Sequence, residues 1–146
     1  MKDTDPIFMQ QALNLAKQAL ERDEIPIGSV ITYNDKIIAR SFNQVEMLTD
    51  PTAHAEMISI TSAINAVGGK YLEDCTLYVT LEPCFMCAGA IHWSRLSRVV
   101  FGAPDPKKGF TNYQPSVLLD KVEILSGVMS TECEQLIKRF FLKKRR

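Results

Sequence analysis

The sequence predicts an α/β fold, a three-layer sandwich in which one mixed sheet of about five strands lies between helices, within a single domain over residues 1–146. Three observations lead there. Five short runs rich in β-branched and aromatic residues alternate with stretches of helical periodicity. Only Asn34-Asp35 separates the first two runs, which marks a tight hairpin. Most later runs are separated by helical stretches, which then pack on the faces of the sheet.

Each element has a local reason. Asp5-Pro6 reads as an N-cap followed by proline in the first helical turn, and Phe8, Ala12, Leu15, Ala16 and Ala19 keep helical spacing over residues 6–21. Gly28–Tyr33 and Lys36–Ser41 form the hairpin strands. After the Asp50-Pro51-Thr52 loop, Ala53–Val67 reads as a helix closed by Gly68-Gly69. Cys75–Thr80 is a strand, Pro83 opens a helix running to Ser94, and Arg98–Gly102 is a buried-type strand. Val122–Ser126 is a short strand, and Thr131–Leu142 a last helix with Thr131 and Glu134 as a capping box.

A chain of 146 residues suits one core, and 46% hydrophobic with 23% charged residues is ordinary globular composition. No apolar run is long enough to span a bilayer, so no membrane partner is expected. The acidic start, Met1 to Asp5, lacks the apolar region of a secretory signal, so the expected compartment is the cytoplasm. There the four cysteines (75, 84, 87 and 133) are reduced thiols or metal ligands rather than disulfides. Net charge is zero but divided: −5 over residues 1–74 and +5 over 75–146, with Lys138, Arg139, Lys143, Lys144, Arg145 and Arg146 at the end. Such an end is either a solvated tail or a footprint for phosphates.

Two motifs at predicted helix starts carry chemistry: His54-Ala55-Glu56 and Pro83-Cys84-Phe85-Met86-Cys87. Cysteines three apart on a helix share a face, and the helix N-terminus favours their thiolates. Alone, this pair fits a redox motif or an ordinary helix as well as a metal site. A structural zinc would want four protein ligands, and no second Cys-x-x-Cys exists. Cys75 and Cys133 fall within a strand and a helix, and His92 lies about 12 Å along the helix from Cys84. His54 remains, and three ligands with one open position is the catalytic zinc arrangement. Glu56, two residues on, is then placed to accept a proton from a polarised water and pass it to a substrate.

Together the motifs match the zinc deaminase signature. The chain resembles the cytidine/deoxycytidylate deaminase superfamily and, within it, the bacterial tRNA-specific adenosine deaminases. The likeness runs through Glu24–Gly28, Asp50–Glu56, Cys75–Cys84, Met86–Ala90 and Arg98–Ala103, and on to Phe140-Phe141 with its basic end. It implies Zn2+ held by His54, Cys84 and Cys87, with Glu56 moving protons, in a homodimer that converts the wobble adenosine of a tRNA anticodon loop to inosine. It further implies that Asn43 hydrogen-bonds the flipped base, the Ala55 backbone reads the base edge, Leu81 sits by the pocket, and Asp105 contacts the anticodon backbone. Asn43 also reads as a turn residue, and Asp105, between Pro104 and Pro106, as part of a rigid loop. Between Gly109 and Val122 the chain is shorter than the family's loop, and Lys107, Lys108, Phe110 and Tyr113 are candidates for RNA contacts or for packing on a second subunit.

Two alternatives compete. A guanine deaminase or other free nucleobase or nucleoside deaminase shares the histidine motif, and Gly89–Trp93 resembles that group, although Trp93 also reads as core or dimer packing. The Arg98–Ala103 stretch and the basic end argue against it. A non-catalytic nucleic-acid-binding module would have no use for Glu56.

Overall fold

The computed structural model describes residues 1–113 and 121–144. Its elements, in chain order, are α1 (Asp5–Glu21), β1 (Gly28–Tyr33), β2 (Lys36–Phe42), α2 (Val45–Leu48), α3 (Ala55–Val67), β3 (Cys75–Leu81), α4 (Phe85–Ser94), β4 (Arg98–Ala103), β5 (Glu123–Ser126) and α5 (Ser130–Lys144), with a 3-10 turn at Phe110–Asn112. The sheet order is β2-β1-β3-β4-β5. β1 is antiparallel to both β2 and β3, while β3, β4 and β5 run parallel. The expected five-stranded mixed sheet is therefore present.

Strand alternation makes the layers. Ile31, Leu77, Val79, Val99 and Phe101 face one way and pack with Ile60, Ala63, Ala88 and Ile91 of α3 and α4. Val30, Tyr78 and Val100 face the other way and pack with Phe8, Met9, Ala12, Ala16 and Leu136 of α1 and α5. The hairpin turns as expected: Asn34 and Asp35 both take positive φ (50° and 58°), the conformation of a two-residue turn that matches strand twist.

Several local expectations fail: α3 starts at Ala55 rather than Ala53, and α4 at Phe85 rather than Pro83. Asp5 lies inside α1, and Thr4 occupies the cap position. The Asp5 carboxylate is buried instead, accepting hydrogen bonds from Tyr78 Oη, Arg98 Nη1 and Arg98 Nη2, each at 2.7 Å. Thr131 is likewise inside α5, which begins a residue earlier. The four-residue α2 was not expected from sequence. Its first amides, those of Glu46 and Met47, donate to the buried carboxylate of Glu24 (2.9 and 2.7 Å), so a residue outside the helix supplies the cap.

The register places the site. Gly28 pairs with Phe42, Ser29 with Val79, and Leu81 with Ala103. Asn43, Leu81 and the chain leaving Ala103 thus gather at one rim of the sheet, where β3 ends and α4 begins. Sites in α/β sheets form at such carboxyl ends.

Candidate metal centre and active site

His54 and Cys84 occupy equivalent places. Each is the extended N-cap residue of a helix, α3 and α4 respectively, with ψ of 151° and 173°. Cys84 therefore precedes the first turn, two positions earlier in the helix than a start at Pro83 would put it, and Cys87 stands inside that turn. His54 Nδ1 lies 3.6 Å from Cys84 Sγ and 3.5 Å from Cys87 Sγ. All three donor atoms lie within 4.8 Å of one another, with Cys87 buried and the other two half-buried. Tetrahedral zinc with Zn–S near 2.3 Å and Zn–N near 2.0–2.1 Å sets an imidazole nitrogen and a thiolate about 3.6 Å apart. The separations and the donor chemistry fit Zn2+ as the cofactor.

Charge in the cluster suits this. A hydrogen bond from Cys87, ahead of the opposing cost of burial, brings the Cys84 thiol down to about 4. The same contact, with burial, pushes Cys87 up. The bond to Cys84 raises His54. A divalent ion displaces such protons on binding, because its ligands are thiolates and neutral imidazole.

Glu56 lies in the first turn of α3 and is buried, 3% exposed. Burial pushes its carboxyl up to about 6, and Oε1 has no protein partner. A buried acceptor without a partner is costly and suggests a ligand or water at that place. Asn43 repeats the pattern. It is buried at the end of β2, its Nδ2 donates to Ile25 O at 3.4 Å, and its Oδ1 has no partner. Ala55 is the buried first residue of α3, and Leu81 the half-buried last residue of β3.

Other sequence expectations are redistributed. The Asp105 carboxylate accepts from the amides of Lys107 and Lys108, both at 3.0 Å, which closes its own turn. Phe110 is not available for stacking on a base, because it is 2% exposed and meets Phe101 edge-on in the core. Tyr113 is accessible and lies 5.3 Å from the exposed ring of Phe85. Trp93 is 77% exposed, which rules out core packing within this chain. Gln114 and Pro115 of the shortened loop, and Arg145 and Arg146 of the basic end, lie outside the described residues.

Two residues at this rim carried no assigned role in the sequence: Glu24 and Glu82, both buried carboxylates that accept backbone amides of flanking loops. Their one visible signal is an acidic side chain set among apolar neighbours, in Glu24-Ile25-Pro26 and Leu81-Glu82-Pro83.

Residues 2–103 match the cytidine and deoxycytidylate deaminase zinc-binding region. A tRNA-specific adenosine deaminase of Bacillus subtilis is 44% identical over 147 aligned residues, covering 97% of this chain and 91% of that one. A structure from work on A-to-I editing by tRNA:A34 deaminases at the wobble position of transfer RNA superposes with a TM-score of 0.83 and 42% identity, over 89% of this chain and 98% of that one. A guanine deaminase structure, also from Bacillus subtilis, is 40% identical but matches less, with a TM-score of 0.65 over 71% of this chain and 66% of that one. With His54, Cys84 and Cys87 converged and the match running nearly end to end, the chain belongs to the tRNA-specific adenosine deaminases, within the zinc-binding cytidine and deoxycytidylate deaminase family.

Proposed function

We propose that this protein, one deaminase domain over residues 1–146, hydrolyses the wobble adenosine of a tRNA anticodon to inosine and ammonia. The observation that carries the chemistry is the His54, Cys84 and Cys87 triad, within 4.8 Å, beside a buried Glu56 whose Oε1 is unpaired. The near full-length likeness to tRNA-specific adenosine deaminases supports the substrate.

His54, Cys84 and Cys87 hold the ion. Zinc, when bound, supplies a Lewis acid that polarises water for attack on an aromatic carbon. Glu56 Oε1 takes one proton from the attacking water and delivers it to the ring nitrogen, then takes the second from the hydroxyl now on the tetrahedral carbon and delivers it to the amine, which leaves as ammonia as the carbonyl forms. A carboxyl held up to about 6 by burial suits both directions of transfer near neutral pH. The unpaired Asn43 Oδ1 accepts a hydrogen bond from the base, and the Ala55 backbone and Leu81 bound its pocket. An anticodon loop is already single-stranded, which lowers the cost of turning a base out of its stack. The compartment inferred with this substrate is the cytoplasm. Among the described residues, no helix is long and apolar enough to cross a membrane.

We also infer a homodimer through α4, whose outer face shows Phe85 (57% exposed) and Trp93 (77% exposed) two turns apart. Sedimentation of the protein and of Trp93→Glu tests it: a dimer that the substitution does not weaken excludes this face.

The function is tested by incubating the zinc-loaded protein with an anticodon stem-loop bearing adenosine at the wobble position, and separately with guanine, adenosine and cytidine. Ammonia and inosine are expected from the stem-loop. Turnover of free guanine alone would establish the alternative.

A further inference from the structure

Glu82 directly follows β3, two residues before Cys84, and is 5% exposed. Among the described residues its carboxylate forms no salt bridge. Oε1 accepts the Asp105 amide at 3.1 Å, and Oε2 accepts both the Thr111 amide at 3.0 Å and the Thr111 hydroxyl at 2.7 Å. Its own amide donates to Ala103 O at 2.8 Å. Gly109 lies against the same carboxylate so closely that a Cβ there would overlap it. One side chain thus gathers both ends of the 105–111 turn, which is otherwise closed on itself by the Asp105 carboxylate and by Asn112 Nδ2 donating to Asp105 O at 3.0 Å. A second tie runs to the metal segment: Phe110 N donates to Pro83 O at 2.9 Å, and Gly109 bridges to Cys84. The turn presents Lys107 and Lys108 to solvent beside the cluster.

We propose that Glu82 is a positioning residue for substrate: its carboxylate clamps the 105–111 turn to the Cys84 segment and so fixes the turn's cations and Asp105 relative to the metal. A buried carboxylate is costly unless fully hydrogen-bonded, and an apolar side chain would fill the space without that cost. What the carboxylate adds is direction, because three donors on the turn converge on two oxygens. The turn touches neither Glu56 nor His54 through any hydrogen bond. Releasing it therefore loosens how RNA is held while leaving proton transfer in place. The inference rests on the RNA-deaminase reading above.

The test uses zinc-loaded wild type, Glu82→Gln and Thr111→Val. Glutamine sets an amide donor against the turn's own donors. Valine removes only the exposed Thr111 hydroxyl and keeps a second variant in hand should Glu82→Gln fold poorly. Zinc stoichiometry, hydrogen exchange over residues 104–111, and KM and kcat on the stem-loop are measured. Expected for Glu82→Gln are one zinc per chain, faster exchange across the turn, KM raised about tenfold or more and kcat within about threefold, with Thr111→Val smaller in the same sense. Unchanged exchange in both variants overturns the clamp. Faster exchange with unchanged KM overturns the substrate role, and zinc loss with a collapsed kcat reassigns Glu82 to support of the ligands. Wild type that leaves the stem-loop untouched refutes the RNA reading before any variant is compared, and the proposal goes with it.

Discussion

Asp5 and Arg98, 93 residues apart, meet in a buried two-pronged ion pair, Nη1 to Oδ1 and Nη2 to Oδ2, both at 2.7 Å. The pair joins α1 to β4, with Tyr78 Oη of β3 as a third member. Burial works against the Asp5 charge, but the hydrogen bonds from Arg98, the Lys2 amide and Tyr78 outweigh it and hold the carboxyl well below the usual carboxylate range. Removing one partner strands the other, so Asp5→Ala should cost about 3–5 kcal/mol. A lowered folded pKa means this stability is full above the unfolded value near 3.9 and drains away as pH falls below it. Denaturant titrations should therefore show a gap between wild type and Asp5→Asn that is constant from pH 5 to 8 and narrows by pH 3. A constant gap down to pH 3 contradicts the linkage.

Zinc should be required for activity and dispensable for the fold. The proposed ligands sit at the starts of α3 and α4, while two apolar clusters on either face of the sheet hold the layers together. Chelation should abolish deamination with little change in far-ultraviolet circular dichroism, and added zinc should restore it. Unfolding on chelation would mark the ion as structural.

Glu56→Gln should lose about 10²–10⁴ in kcat while keeping one zinc per chain. Its carboxylate meets the Cys87 thiol of α4, and glutamine keeps the size and an accepting oxygen there, so thermal stability should change little. Retained activity would remove Glu56 from proton transfer.

Gly28 lets α1 lie directly on β1. A Cβ there would overlap Ala12 O and come within 2.6 Å of Ala16 N, both rigid backbone atoms. Gly28→Ala should destabilise by at least about 1–3 kcal/mol, read from the midpoint of denaturant unfolding. A silent substitution would show that α1 moves freely over the sheet.

Deleting residues 143–146 removes four of the six terminal cations. Lys143 lies 3.3 Å from Asp23 in an exposed pair that adds little stability. Binding of the stem-loop should weaken, and the slope of log K against log salt should flatten by up to about 0.7 per lost phosphate contact. An identical slope would make the tail a bystander.

Much of this molecule was legible in sequence because the signals are local. Turn chemistry at Asn34-Asp35 and the Gly68 helix stop depend on a few adjacent residues. The candidate donor residues and the proposed catalytic carboxylate stood out in the same way, as short motifs whose chemistry admits few uses. The rest needed the folded chain. Asp5, Glu24 and Glu82 find their partners 22 to 93 residues away, across elements whose register no local pattern encodes. The same holds for the burial of Phe110 and for the 3.5–3.6 Å spacing that turns His54, Cys84 and Cys87 into one site. A backbone amide or an ion pair accepts any acidic side chain that reaches it, so only the packed layers decide which residue does.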